Sequence, residues 1–188
     1  MKLNLGCGTK KMAGFVNVDI RLDSASKDVR CLTDPDVIDD IRVLATFAEN
    51  SVDLIYSCHV FEHFKRDERL DVLNRWKEVL KPGGILRLSV PDFEAVAHGY
   101  VDKTVPFDKL WTSLNGSQRH DYDIHYHSYD LDHLKADLES AGFTDIHRYD
   151  WRKTEHADVD DYSQAFYPHL QKDTGILLSL NVEATKPH

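Results

Sequence analysis

The sequence predicts an α/β protein with a mostly parallel sheet covered on both faces. Short β-branched or alternating apolar runs at residues 3–5, 15–19, 52–57 and 85–90 are interleaved with stretches whose apolar residues recur every three or four positions. Strands that alternate with helices pair in parallel, because each crossover returns the chain to the same end of the sheet. The first run also stops at Gly6-Cys7-Gly8, a turn that lets backbone approach a ligand at a strand end.

Leu3 and Leu5 alternate with Lys2 and Asn4 in the first strand, and Phe15 to Asp19 forms the second. Thr9 to Gly14 leave room between them for only one or two helical turns. The region from Ile20 to Pro35 is polar and irregular, and Val37-Ile38 is a short third strand. Val52 to Ser57 is a buried parallel strand by its β-branched content, with Cys58-His59-Val60-Phe61-Glu62-His63-Phe64 at its carboxyl end. Leu70, Leu73, Trp76 and Leu80 keep helical spacing until Lys81-Pro82-Gly83-Gly84 stops it. Ile85 to Val90 alternates as a strand and ends at Pro91-Asp92.

From Phe93 to His127 no strong period appears, so a substrate-facing lid or insertion is expected over about 93–127, with a helical piece near Phe107 to Leu114. Leu131, Leu134 and Leu138 mark another helix, closed by Gly142. Thr144 to Tyr149 and Leu177 to Ala184 are the last strands; with no helix predicted between them they are expected to pair antiparallel at the sheet edge. The polar stretch at about 150–175 is read as substrate-facing.

With 188 residues, 41% of them hydrophobic and 29% charged, the chain is expected to be one domain spanning 1–188. No apolar run is long enough to cross a bilayer. The formal net charge of -9 opposes a broad grip on phosphate backbones, so a nucleic-acid partner is disfavoured. Cys7, Cys31 and Cys58 form no C-x-x-C pair and are odd in number. This suggests neither a disulfide framework nor a cysteine zinc site, and a reducing, cytoplasmic setting is expected. The N-terminus lacks a secretory leader pattern, so the mature chain is expected to start at Met1.

In open α/β sheets ligands bind beyond the carboxyl ends of the strands. Here those ends carry Gly6-Cys7-Gly8, Asp19, Asp40 and Ser57 to His63. A dinucleotide fingerprint would need a third glycine where Lys11 stands. Asp19 ends the second strand, where a carboxylate can accept both hydroxyls of a ribose.

Leu3-Asn4-Leu5-Gly6-Cys7-Gly8, Asn17-Val18-Asp19, Ser51-Val52-Asp53-Leu54-Ile55, Phe61-Glu62-His63-Phe64 and Leu80-Lys81-Pro82-Gly83-Gly84 together resemble, in order and spacing over residues 1–92, the class I S-adenosylmethionine-dependent methyltransferases of the type 11 branch. Asp123-Ile124-His125, Ala141-Gly142-Phe143 and the run from His156 to Ser163 resemble small members of that branch. The resemblance implies a Rossmann-like, doubly wound seven-stranded sheet, mostly parallel with the last strand antiparallel. It implies S-adenosyl-L-methionine lying across Gly6, Cys7 and Gly8, with Asp19 and the adjoining Ile20 at the ribose. Asp40 and Ile41 would flank the adenine, and Ser57 to His59 would line the methionine end. Two departures stand out: Asn4 occupies a position where many relatives carry an acid, and the segment after Gly8 is short for a full first helix.

His59-Val60-Phe61-Glu62-His63 also contains H-x-x-E-H, a spacing that holds zinc in one family of peptidases. On a helix starting near His59, His59, Glu62 and His63 would share one face. The peptidase reading leaves the cofactor-type strand ends without a purpose and is set aside. Some small-RNA 2′-O-methyltransferases and quinone-pathway O-methyltransferases bind a divalent cation through a similar Glu-x-x-Glu-His group, with His59 standing here for the first Glu. A cation on His59, Glu62, His63 and His125 is therefore an alternative; the metal-free version, in which Glu62 and His63 cap the helix and close the pocket, is the expectation.

His125 is the first candidate for a base and His63 the second, with Glu62 beside them, because methyl transfer needs a base only where the acceptor must lose a proton. The other late histidines, His120, His127, His133, His147, His156 and His169, are expected mostly on the surface. Tyr122, Tyr126, Tyr129, Trp151, Tyr162 and Tyr167 lie among acids and histidines, which suits a saccharide or other small polyhydroxylated acceptor. O-methylation of such an acceptor is the expected activity. N-methylation of a small metabolite, cation-assisted methylation of an RNA end and a non-catalytic cofactor-binding module are the alternatives.

Overall fold

The computed structural model of the chain describes residues 1–20, 34–119 and 121–188. Cys31, His120 and most of the irregular stretch after Ile20 lie outside the described residues.

The alternating run at the N-terminus becomes β1 (Lys2–Leu5), with Leu3 and Leu5 fully buried. It lies between β2 (Val16–Asp19) and β4 (Val52–Cys58), and β3 (Val37–Ile38) extends the sheet beyond β2. On the other side follow β5 (Leu80–Pro91), β9 (Ser179–Thr185) and β6 (Thr144–Arg148), giving seven strands in the order β3-β2-β1-β4-β5-β9-β6. Neighbours pair in parallel from β3 to β5, whereas β9 runs antiparallel to both β5 and β6. The expected antiparallel pair of final strands is present, with β6 outermost. A separate ribbon pairs β7 (Phe166–Tyr167) with β8 (Ile176–Leu177). The run that begins at Leu177 is therefore split: Leu178 turns to bond Ala165, and the main strand starts at Ser179.

Register alternation assigns each side chain to a face. Leu3, Leu5, Ile55, Leu86, Leu88 and Val182 pack against α1 (Arg69–Val79) and α4 (Leu131–Ser140). In α1 the buried residues Val72, Leu73, Trp76 and Val79 recur at helical spacing, and Trp76 Nε1 donates to Ile41 O at 2.7 Å, so the largest side chain of the helix is also satisfied. β5 begins at Leu80, five residues before the predicted start: Leu80 pairs with Val52, and a register shift absorbs Lys81 to Gly84 before Ile85 pairs with Leu54.

The opposite face carries Leu54, Tyr56, Arg87, Asn181 and Glu183, and no helix follows β1 to cover it. Thr9 to Gly14 forms turns, tied down by polar side chains: Asn4 Nδ2 donates to Lys10 O and to Asn17 Oδ1, both at 3.0 Å, and Met12 N donates to Asn17 Oδ1 at 2.8 Å. The rest of the face is covered by residues 151–165. Arg87 bonds Glu155 at 2.7 Å and Glu183 at 2.6 Å, Tyr56 OH donates to Asp161 at 2.7 Å, and Asn181 Nδ2 donates to Ser163 O at 2.9 Å. His156, expected among surface histidines, is buried in this layer with its ring 4.2 Å from that of Tyr56.

The segment expected to lack a period holds two helices, α2 (Phe93–Val101) and α3 (Phe107–Asn115), the second close to the predicted piece. Asp92 caps α2, accepting from Glu94 N at 3.0 Å. α4 closes at Gly142 as predicted, with φ +81°. No helix among the described residues is long and apolar enough to cross a membrane.

Candidate active site

Because β1 connects outward to β2 on one side and pairs with β4 on the other, a crevice opens at their carboxyl ends. Gly6 and Gly8 sit there with φ +65° and +50°, the left-handed region that glycine occupies without strain. A Cβ on Gly8 would point into open space, whereas one on Gly6 would lie 2.4 Å from Val60 Cγ2. The glycine turn and the loop after β4 are thus in direct contact, and the side of Gly8 is a bare backbone cradle. Asp19 Oδ2 accepts from Gly8 N and Oδ1 from Ile20 N, both at 2.8 Å. Burial raises the Asp19 carboxyl above its usual range although both N–H groups pull it down. Each oxygen keeps a second lone pair, the number a ribose diol needs. Burial, with Asp19 and Asp36 nearby, pushes the Cys7 thiol up to about 12, so it is no nucleophile.

At the end of β4, Ser57 is buried and its Oγ has no hydrogen-bond partner among the described residues. Such an orphan beside the bare glycine turn fits a site for the polar end of a bound cofactor. The next residues do not continue as the helix expected from His59. His59 adopts φ +52°, its N–H bonds Ser89 O at 2.7 Å, and only Phe61–His63 forms a single 3-10 turn. Phe61 anchors that turn, packing between the rings of Tyr129 and Trp76 at 5.6 and 5.9 Å. The apolar residues of the loop enter the core, and its polar ones turn toward the crevice.

His59, Glu62, His63 and His125 come together there. His59 Nδ1 lies 3.6 Å and His125 Nε2 3.8 Å from Glu62 Oε1, and the His63 and His125 rings meet edge to face at 4.8 Å. His125 arrives from the far side of α3. The helix ends at Gly116, freeing its last carbonyls, and His125 uses two of them: its N–H bonds Asn115 O at 3.2 Å and its Nδ1 bonds Ser113 O at 2.9 Å. His63 Nδ1 bonds Ile124 O at 3.0 Å, and His59 Nε2 is 3.1 Å from Ser179 Oγ. Tyr162, 67% exposed, lays its ring 5.2 Å from that of His59 and forms an outer wall.

Glu62 is fully buried, and neither carboxylate oxygen has a hydrogen-bond partner among the described residues. The expected cap is therefore absent from it: Glu62 closes no helix end, because no α-helix is there to cap. Burial lifts its pKa to about 8. Burial, followed by the neighbouring imidazoles, lowers His59 to about 3 and His125 to about 4. At neutral pH His59 and His125 are uncharged and Glu62 is largely protonated, becoming a carboxylate only as pH rises through about 8.

Of the remaining predicted residues, Asp40 lies at the strand-end side of the crevice, but its carboxylate is held by Arg42 through Nη2 at 2.7 Å and Nε at 3.0 Å, and Ile41 is half-buried with its carbonyl on Trp76. Sequence reasoning missed Ser179, the carbonyls of Ser113 and Ile124, and the tethering role of the Asn17 side chain, although Asn17 and Tyr162 are both named in it. Asn17 alone left a signal, a polar side chain in the middle of an apolar strand. A second group, His127, His133 and Asp137, gathers beside α4, but the Arg69 guanidinium bonds His127 and lies 3.2 Å from Asp137 and 3.4 Å from His133.

Residues 3–88 match the type 11 methyltransferase domain family. No curated protein sequence matches the chain. Among solved structures, an S-adenosylmethionine-dependent methyltransferase from Archaeoglobus fulgidus is similar at TM-score 0.54 and 16% identity, over 98% of this chain and 85% of that one. One from Methanosarcina mazei is similar at TM-score 0.55 and 15% identity, over 99% and 92%. Phosphoethanolamine N-methyltransferase 2 of Haemonchus contortus, solved with S-adenosyl-L-methionine, is similar at TM-score 0.54 and 18% identity, over 100% of this chain and 48% of its own length. These likenesses carry the fold, and the family match falls on the strands that build the glycine turn, Asp19 and the loop after β4. Residues 3–88 thus carry the match to the type 11 methyltransferase domain, on a fold shared with S-adenosylmethionine-dependent methyltransferases.

Proposed function

We propose that the chain methylates a hydroxyl oxygen of a small polyhydroxylated acceptor of the saccharide class. The observation that carries this reading is Glu62, a fully buried carboxylate with no hydrogen-bond partner among the described residues, faced by His125 Nε2. A hydroxyl suits such a place because it donates its O–H to the carboxylate while its oxygen stays free to react. A neutral amine reacts through its own lone pair and can lose its proton to solvent, so it has less need of a buried base than a hydroxyl. The exposed ring of Tyr162 borders the cluster, and the backbone N–H of Tyr126 bonds Glu62 O at 2.9 Å. Aromatic faces beside hydrogen-bonding groups suit a sugar ring. Cys7 and Cys58 are free thiols, which agrees with a cytoplasmic setting.

S-adenosylmethionine supplies a methyl group on a positively charged sulfur, so the protein's task is mainly alignment. Gly6 to Gly8 and Asp19 would hold its nucleoside, and Ser57 and His59 would line its methionine end. Phe61 and Phe64 fix the loop that sets Glu62 beside that end. The acceptor oxygen would gain the methyl group as the methyl–sulfur bond breaks to leave a neutral thioether, and its proton would pass to Glu62 in its ionised form, which grows as pH rises toward about 8; His125 and Tyr162 would confine the acceptor.

The test is to incubate the protein with the cofactor and a panel of monosaccharides, simple diols, amines and short RNA, and to read methyl gain by mass spectrometry. Transfer to hydroxylated acceptors is expected, with turnover at least about a hundredfold lower in Glu62→Gln. Transfer confined to amines or RNA, or full turnover in Glu62→Gln, would refute the reading.

A further inference from the structure

Within the cluster, His59 reaches across to the last strands. Its left-handed backbone, and the bond from its N–H to Ser89 O at 2.7 Å, break the helical course and leave the ring beside the start of β9. There Nε2 lies 3.1 Å from Ser179 Oγ, and on the other edge Nδ1 lies 3.6 Å from Glu62 Oε1. The ring is uncharged at neutral pH. Which nitrogen carries its single proton therefore decides what Glu62 meets.

Ser179 is buried, and its hydroxyl has one hydrogen to give, with Asn181 Oδ1 at 3.2 Å, Val90 O at 3.5 Å and His59 Nε2 around it. Asn181 is buried too, and its Nδ2 donates to Ser163 O at 2.9 Å, so Oδ1 is the end turned to Ser179. An amide oxygen only accepts. If Ser179 gave its hydrogen to His59, that buried oxygen would lose its donor, which is the costlier arrangement. The chain that satisfies its members runs one way: His59 Nε2–H to Ser179, Ser179 O–H to Asn181, Asn181 N–H to Ser163 O.

His59 Nδ1 is then bare and faces Glu62. His125 Nε2, 3.8 Å from the same Oε1, is bare as well, because His125 Nδ1 donates to Ser113 O at 2.9 Å. Both gaps exceed a hydrogen bond, and a small rotation of the carboxyl closes either. Glu62 is largely protonated at neutral pH, so its hydrogen belongs on Oε1, where two lone pairs await it. Oε2 stays an acceptor. With the opposite tautomer, His59 would donate to Oε1 and the carboxyl hydrogen would move to Oε2. A hydroxyl meeting that hydrogen would have its reacting lone pair tied up.

We propose that Ser179, held by Asn181, is a positioning residue of this site: it fixes His59 with the proton on Nε2 and so leaves Glu62 Oε2 to receive the hydrogen bond of the acceptor hydroxyl. Ser179 acts through His59. The role of Oε2 rests on the function proposed above; the tautomer does not.

The test is long-range proton–nitrogen correlation NMR of the full-length protein with nitrogen-labelled histidine, at neutral pH, the His59 signal being assigned from its loss in His59→Gln. The wild type should carry the His59 proton on Nε2. In Ser179→Ala the share on Nδ1 should rise at least about threefold, and Ser179→Thr, which keeps the hydroxyl, should hold the wild-type pattern. A wild-type proton on Nδ1, or an unchanged tautomer in Ser179→Ala, overturns the proposal without recourse to activity. If Ser179→Thr does not fold by circular dichroism, those two spectra decide it. Turnover on monosaccharides and simple diols is the second readout. Ser179→Ala should lower kcat at least about tenfold with KM for S-adenosylmethionine changed less than about threefold, and folded Ser179→Thr should recover most of kcat. Unchanged kcat in Ser179→Ala, or no recovery in a folded Ser179→Thr that keeps the tautomer, overturns the positioning role. The expected tautomers with no transfer to any hydroxylated acceptor refute the acceptor reading and leave the hold of Ser179 on His59 standing.

Discussion

Gly6→Ala tests how tightly the glycine turn after β1 and the loop after β4 are joined. The new methyl would lie 2.4 Å from Val60 Cγ2, and Gly6 has φ +65°. The left-handed backbone costs a residue with a Cβ about 1–2 kcal/mol, and forcing a methyl into an occupied place adds about 1–3 kcal/mol. The sum is about 2–5 kcal/mol, or about 10 °C in Tm for a chain of this size. Urea unfolding of Gly6→Ala, Val60→Ala and the double variant separates the two parts. In the Val60→Ala background only the backbone cost remains, so the penalty of Gly6→Ala should fall by about 1–3 kcal/mol, as expected for residues in contact. An equal penalty in both backgrounds would show that the turn does not bear on Val60, and the coupling argued here would be wrong.

Asp19→Ala removes the acceptor of both the Gly8 and Ile20 N–H groups, and calorimetric affinity for S-adenosylmethionine should fall at least about tenfold, the loss of one or two charge-assisted bonds; unchanged affinity would misplace the cofactor. Glu62→Met, assayed in chelator, exchanges an unsatisfied buried carboxyl for an apolar chain of similar size and should raise stability by about 1–3 kcal/mol while abolishing turnover. Destabilisation by that substitution would mean that Glu62 has a structural partner. Burial pushes Glu155 up, but hydrogen bonds from Arg87 and Lys2 outweigh it and hold the carboxyl at about 2. Its folded pKa is thus below the unfolded value, so its contribution is complete above about pH 4.3 and is lost as pH falls toward 2. Glu155 is about one-third exposed, and solvent screening reduces the contribution to about 1–2 kcal/mol. Between pH 5 and pH 3, urea stability of the wild type should fall more than that of Glu155→Gln; parallel curves would refute the assignment.

Much of this architecture is legible in the sequence where one local force dominates. Leu3 and Leu5, the β-branched run of β4, and the spacing of Leu73 and Trp76 each give the element they imply, and Gly142 ends α4 where the pattern stops. The misses have a common cause in side-chain and backbone bonds that no periodicity reveals. α2 has too few buried positions to show a period, and its one clear signal is the capping Asp92. β5 starts early because Leu80 finds Val52, a long-range pairing. The spacing predicts His59, Glu62 and His63 on one helical face; they converge instead through a left-handed His59 and a single tight turn. The burial of Glu62 without a partner among the described residues was invisible, because burial of a polar residue depends on what the distant His125 segment does.

The layer of residues 151–165 that stands in for a helix on the far face of the sheet also delivers Tyr162 to the mouth of the site. Its tethers, Asp161 on Tyr56, Ser163 on Asn181 and Glu155 on Arg87, lie on the strands that carry or flank the catalytic loop. Under the proposed function, sheet protection and acceptor choice would therefore fall to the same fifteen residues. Variation there should shift which molecules are methylated without disturbing the cofactor turn, but only within the limit that the sheet stays covered. Selection for a new acceptor and selection for a stable fold would act on this stretch together, while the glycine turn on the other side of the crevice is left to evolve on its own terms.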